Sequence, residues 1–228
     1  MNGVCRVELK ELERNEAFRY MGIRGEPDET TRQLTVRCEA ELLKAIKPVF
    51  IYKVFDITEE EKGISVDGTT LKLPGEDIKR QLKGCGRCVL MAATLSSAAD
   101  LVIRRHEISD MTSAVISDCL ASAAVEQVCN EAERIIAEEL RGFYMTWRFS
   151  PGYGDLPIGI QQEFISVLDA QKRIGLNATE NNILTPRKSV TAVIGVSERE
   201  VPKGRRGCAI CSMKDRCQFR KRGEHCEI

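Results

Sequence analysis

An excess of charge of either sign is missing from this sequence. Its 34 Lys and Arg balance 34 Asp and Glu over 228 residues, so bulk electrostatics draws it toward neither nucleic acid nor an anionic membrane surface. Long hydrophobic runs are missing too: no stretch supplies the ~20 apolar residues of a membrane-spanning helix. Neither the glycine fingerprint of the dinucleotide fold nor the phosphate-binding loop occurs, and no segment repeats. Residues Met1 to Arg14 lack the basic-then-apolar order of a secretory signal, which points to the cytoplasm.

Ten cysteines are present. In a chain of this size without an export signal they do not read as the disulfide framework of a small secreted domain. Cys5, Cys38, Cys119 and Cys129 are scattered through helix- and strand-like patterns and read as small buried residues. Cys85 and Cys88 form a C-x2-C pair, but Cys88 opens an apolar run, so the pair reads as structural.

Hydrophobic periodicity organises the rest. A short helix is expected near Phe18 to Met21, and a longer one from Thr30 or Thr31 to Ile46 on the stripe Leu34, Cys38, Leu42 and Ile46, stopped by Pro48. Val49 to Ile57 reads as a strand, followed by a hairpin turning at Asp67-Gly68 and ending at Leu73. A short helix opens at Pro74 to Asp77. Cys88 to Leu95, nearly all apolar, reads as a strand buried on both faces. Ser96 or Ser97 caps a helix to His106. The longest helix spans Thr112 to Leu140, on Val115, Ile116, Leu120, Val128, Ala132, Ile135, Ile136 and Leu140. A last strand, Ser189 to Ser197, carries Val190, Ala192, Ile194 and Val196 on one face. Strands and helices mix without repeated βαβ units, so the expected class is α+β, a mixed or antiparallel sheet with packed helices.

Between the long helix and the last strand lies the stretch built for a ligand, Arg148 to Pro157. Alternation from Phe143 to Phe149 places Phe143, Met145, Trp147 and Phe149 toward a core and Tyr144, Thr146 and Arg148 away from it. Arg148 would then be free to grip a carboxylate with its planar fork. Gly152 and Gly154 allow close backbone approach or positive φ, Tyr153 offers a flat face and a hydroxyl, and Asp155 can cap the following helix, marked by Ile160, Phe164, Ile165 and Leu168. That helix start would aim backbone N–H groups at the turn. The bland alternative is a loop whose arginine makes a surface ion pair.

After Pro202 the composition changes. From Arg199 to Ile228 nine Lys and Arg stand against four Asp and Glu, and Cys208, Cys211, Cys217 and Cys226 are spaced C-x2-C-x5-C-x8-C. Four thiols so placed suit a metal, as a structural zinc or an iron–sulfur cluster. His225 could substitute as a ligand. Nucleic-acid binding by the basic tail lacks stacking residues, Phe219 being the only aromatic there. Residues 1–200 are expected to form one domain and 201–228 a Cys-rich tail.

Arg148, Pro151, Gly152 and Tyr153, then Gly175 to Glu180, then Pro186, Ser189, Val190 and Thr191, resemble the activation domain of cobalamin-dependent methionine synthase, and more closely its free-standing relatives. The likeness is specific over residues 147–196 and diffuse over 17–146. The resemblance implies an S-adenosylmethionine-binding, methyltransferase-type protein acting in methionine biosynthesis. Such a protein remethylates a corrinoid on a partner, methionine synthase or a related corrinoid protein, with an electron from a flavodoxin- or ferredoxin-like donor. It implies that Arg148 holds the methionyl carboxylate, that the Pro151-Gly152 backbone lines the site, and that Tyr153, the candidate catalytic residue, lies near the sulfonium or the corrin face. Glu133 is an acidic partner for ligand hydroxyls or ammonium, against the plainer reading of a solvated helix face. The alternative is a non-catalytic adaptor with a zinc-stapled docking tail. The sequence departs from the family at Val193-Ile194, in place of an aromatic pair, and at Arg141-Gly142, where an acidic residue precedes the arginine. His106 and His225, the two histidines, lack the D-x-H-x-x-G context of a lower cobalt ligand, so the corrinoid is expected on the partner.

Overall fold

The computed structural model describes residues 4–23 and 25–201, so Cys208, Cys211, Cys217, Cys226 and His225 lie outside the described residues. In chain order the elements begin with β1 (Val4–Arg6), α1 (Arg14–Tyr20), α2 (Glu29–Ala45), β2 (Val49–Glu60), β3 (Gly63–Val66), β4 (Lys72–Pro74), α3 (Glu76–Gln81), β5 (Arg87–Thr94), α4 (Ser97–Ser109) and α5 (Met111–Glu139). They continue with β6 (Tyr144–Met145), a 3-10 turn at Ile158–Ile160, α6 (Gln161–Leu168), α7 (Ala170–Ile174), β7 (Asn177–Ala178), β8 (Leu184–Thr185) and β9 (Ser189–Ser197). The α+β class expected from the sequence is observed.

The main sheet is antiparallel throughout, in the order β4-β3-β2-β5-β9-β6, with β1 paired to the start of β2. Side chains alternate across it. Phe50, Tyr52, Val89, Met91, Ala93, Ala192, Ile194 and Val196 face a cluster completed by α1, α2, α4 and α5. Ile51, Cys88, Leu90, Ala92 and Val193 face a second cluster with α3, α6 and α7. Helices therefore cover both faces. Every residue of β5 from Cys88 to Thr94 is buried, which is why its sequence is continuously apolar rather than alternating.

The termini of the two longest helices are capped as their sequences suggest. Asp28 accepts the Thr31 amide at 2.8 Å at the start of α2, and Asp110 accepts those of Thr112 and Ser113 at the start of α5. The face of α5 against the sheet is rich in Ala and Ser, with Ala121, Ala124, Ala132 and Ser117 fully buried, so backbone can approach backbone closely.

Three local expectations change. Val115, read as part of the buried stripe of α5, is 50% exposed, while its neighbours Ala114 and Ile116 are buried. The amino-terminal segment contributes an edge strand, β1, not anticipated from its mixed polarity. Between Phe143 and Phe149 only Tyr144–Met145 is a regular strand. The pairing is Met145 with Val196 but Phe149 with Val193. One extra residue on this strand is therefore looped out as a bulge, near Thr146, whose hydroxyl accepts the Gly195 amide at 2.8 Å.

Truncating Leu120, which is fully buried on α5, to alanine is expected to cost about 2–5 kcal/mol of unfolding free energy. Val115→Ala should change it by less than about 0.5 kcal/mol. Chemical denaturation of the two variants checks the rotational setting of the long helix against the sheet.

Candidate functional site

The bulge decides where Arg148 points. Phe143 and Met145 pack on the α5 side of the sheet, while Phe149 packs on the opposite side. The looped-out residue reverses the alternation between them, and Arg148 meets α5 instead of solvent. This corrects the expectation of an arginine free to take a ligand carboxylate. Glu126, Asn130 and Glu133 lie on one stripe of α5, spaced by four and three residues. An Arg148 Nη1 donates to Asn130 Oδ1 at 2.9 Å and to Glu133, and Nη2 donates to Glu126 at 2.5 Å. The Arg148 side chain is 14% exposed, that of Glu133 21% and that of Glu126 41%.

Burial opposes the charge on Arg148, but Glu133 and Glu126 outweigh it and hold the guanidinium above its ordinary range. The buried thiol of Cys129, between them on the same helix, is pushed well up by burial and is neutral at physiological pH. Two carboxylates thus share one guanidinium, and Arg19 stands nearby over the Tyr20 ring. Glu133 is thus neither a solvated helix face nor an isolated ligand group, but half of a clamp on Arg148.

The loop beyond Arg148 is closed on itself. Gly152 donates its amide to Leu156 O at 2.8 Å, Tyr153 to Ser150 O at 3.1 Å and Leu156 to Tyr153 O at 3.0 Å. These three amides are spent within the turn and are not offered to a ligand. Gly152 and Gly154 both take positive φ, 96° and 54°, as the turn requires. Pro151 and Leu156 are buried and anchor its ends. Tyr153 is 55% exposed, with its ring edge-on to Phe149 at 6.4 Å.

Asp155 does not cap the helix that follows it. Its carboxylate instead accepts the amides of Glu76 and Asp77 at 2.7 and 3.0 Å, at the start of α3. No side chain caps either the 3-10 turn or α6. Sequence reasoning sought a local partner; the partner stands 78 and 79 positions away.

Three residues near this site were missed. Glu126 and Asn130 share the helical stripe of Glu133, and that spacing could have revealed them. Tyr20, at the end of α1 and 41% exposed, had no local signal. Its phenol is raised by burial and then by the charges of Glu126 and Glu16, with a contribution from Tyr153, which puts it beside the cluster. Arg19 stacks over its ring at 4.7 Å.

A groove of about 440 Å³ between α5 and the Arg6–Leu9 strap adjoins the cluster through Asn130, and a second of about 610 Å³ lies along α1 and α2. Neither of these two grooves is lined by Tyr153. Among the described residues no group of three or more His, Cys, Asp or Glu is placed to hold a metal. Burial pushes the Cys85 thiol up to about 11 and that of Cys88 to about 12, which fits their structural reading. His106 is buried between Ser117, at 2.8 Å, and Glu41, at 2.9 Å. No helix among the described residues is long and apolar enough to cross a membrane.

No family model matches the sequence, and no curated protein matches it either. The fold, however, has a counterpart among solved structures. The crystal structure of the MetH reactivation domain bound to AdoHcy superimposes with a TM-score of 0.64 over 97% of this chain and 86% of that one, at 16% sequence identity. The chain is thus similar in fold to that reactivation domain over almost its whole length.

Proposed function

We propose that this chain binds S-adenosylmethionine on the face formed by Glu126, Glu133, Arg148 and Tyr153, and uses it to remethylate a corrinoid carried by a partner protein. The carrying observation is the clamp itself, two carboxylates on one guanidinium, with the Tyr20 phenol at its edge affected by both Glu126 and Tyr153, on a fold shared with a domain bound to AdoHcy. A sulfonium is a cation, and both a carboxylate and a π-face favour it. Ligand hydroxyls or an ammonium can donate to Glu126, the more exposed carboxylate. Arg148 fixes both glutamates in place.

The reaction would move the sulfonium methyl to the reduced cobalt of the partner and release S-adenosylhomocysteine. The electron for cobalt reduction would come from a flavodoxin- or ferredoxin-like donor. The exposed Tyr153 would meet the incoming corrin face. The four tail cysteines, Cys208, Cys211, Cys217 and Cys226, would hold an iron–sulfur cluster or zinc in a unit separate from residues 1–200.

A second reading has its own observation. Arg148 is already engaged by protein oxygens and Tyr153 lines neither groove described above, as in a non-catalytic adaptor that docks on a corrinoid protein through a zinc-stapled tail.

Calorimetric titration separates them. The wild-type chain is expected to bind S-adenosylmethionine more tightly than S-adenosylhomocysteine, by about three- to tenfold, the ~1 kcal/mol of a partly exposed charge pair. Glu126→Gln should narrow that ratio, and Arg148→Ala should weaken both ligands by leaving two carboxylates uncompensated. Indifference of the wild-type chain to both ligands removes the methyltransfer reading. A positive result leads to methyl-labelled S-adenosylmethionine, a cob(II) corrinoid protein and titanium(III) citrate, with label appearing on the corrinoid. Anaerobic purification with metal analysis is expected to find metal lost on Cys208→Ser with Cys211→Ser; visible sulfur-to-iron absorption marks a cluster, and zinc without colour the staple.

A further inference from the structure

The helix α3 has six residues and an N-cap, Gly75, with no side chain to offer. Its first amides would be orphaned. Asp155 fills the gap from the far end of the ligand loop, accepting from Glu76 and Asp77. The exchange is reciprocal: Asp77 accepts the amide of Asp155 at 3.2 Å. Each aspartate thus caps the backbone that carries the other.

Both glycines are explained by this crossing. A Cβ on Gly75 would strike the Asp155 carboxylate, and one on Gly154 would strike that of Asp77. At its other end α3 holds the strand before the loop, where Gln81 donates to the carbonyl of Trp147 at 2.6 Å. The buried Ile78 and the adjoining Leu82 root α3 in the second hydrophobic cluster, alongside Leu156. One short helix therefore grips the chain immediately before Arg148 and again two residues after Tyr153.

We propose that Asp77 and Asp155 are positioning residues of the ligand site, forming a clasp that fixes the turn bearing Tyr153 relative to Arg148. The clasp rests on the reading of this face as the ligand site. Neither carboxylate needs to touch the ligand. Their work is to remove alternative conformations of a four-residue exposed segment, Gly152 to Asp155, so that binding does not have to order it.

The test uses the full chain, S-adenosylhomocysteine as probe and hydrogen exchange as an independent reporter. Asp77→Ala and Asp155→Ala are each expected to speed exchange of the Gly152, Tyr153 and Leu156 amides about tenfold and to weaken the probe about tenfold. That factor is what loss of one helix cap typically represents. Asp155→Asn, which keeps an acceptor oxygen, should recover part of both effects. Asp28→Ala removes a cap from α2, away from the loop, and should lower stability without changing either readout. The clasp is overturned if loop exchange is unchanged in the aspartate variants, if exchange rises while binding does not weaken, or if Asp28→Ala weakens binding equally. Should the wild-type chain ignore the probe, the ligand reading falls, and the exchange arm alone decides whether the clasp holds the turn.

Discussion

A single looped-out residue between Met145 and Phe149 sets the chemistry of this molecule. Without it, alternation would carry Arg148 to the opposite side of the sheet from α5, where it would have no acidic partner on that helix. With it, a guanidinium is placed 14% exposed against Glu126 and Glu133. Removing one member of such a group leaves the others desolvated and unbalanced, so the three charges behave as one unit. The acids that meet the arginine come from the long helix, not from the segment just before it in sequence.

The site also stands where the two hydrophobic clusters meet. Glu126 and Glu133 belong to α5, which packs on one face of the sheet, and Phe149, Leu156 and α3 belong to the other. The glycine-rich loop after Arg148 runs past the β6 edge of the sheet. Between the buried anchors Pro151 and Leu156 the loop is held by hydrogen bonds, three within the turn and three more shared with α3. The exposure of Tyr153 and Tyr20 keeps this face open.

Much of the architecture was legible because it is written in local periods. The stripe of α2, the continuous run of β5, the alternation of β9 and the Gly175 stop after α7 each need only a few neighbouring residues to be recognised. Of the site, the loop and its glycines were legible, and Glu133 was noticed. The direction of Arg148 was not, since a bulge depends on hydrogen-bond register with β9, about 45 residues further along. Nor was the role of Asp155, whose capped amides sit in a helix that precedes it by nearly eighty positions.

The amino-acid sequence by itself determined the α+β class, the long helix, the doubly covered central strand and the tight glycine turn, since burial against a sheet selects residues at fixed short spacings. Only the tertiary structure decided which carboxylates face the arginine and which helix end the second aspartate caps. Charge pairing and cross-chain capping act between groups that hydrophobic packing brings together, and no spacing along the chain records that meeting.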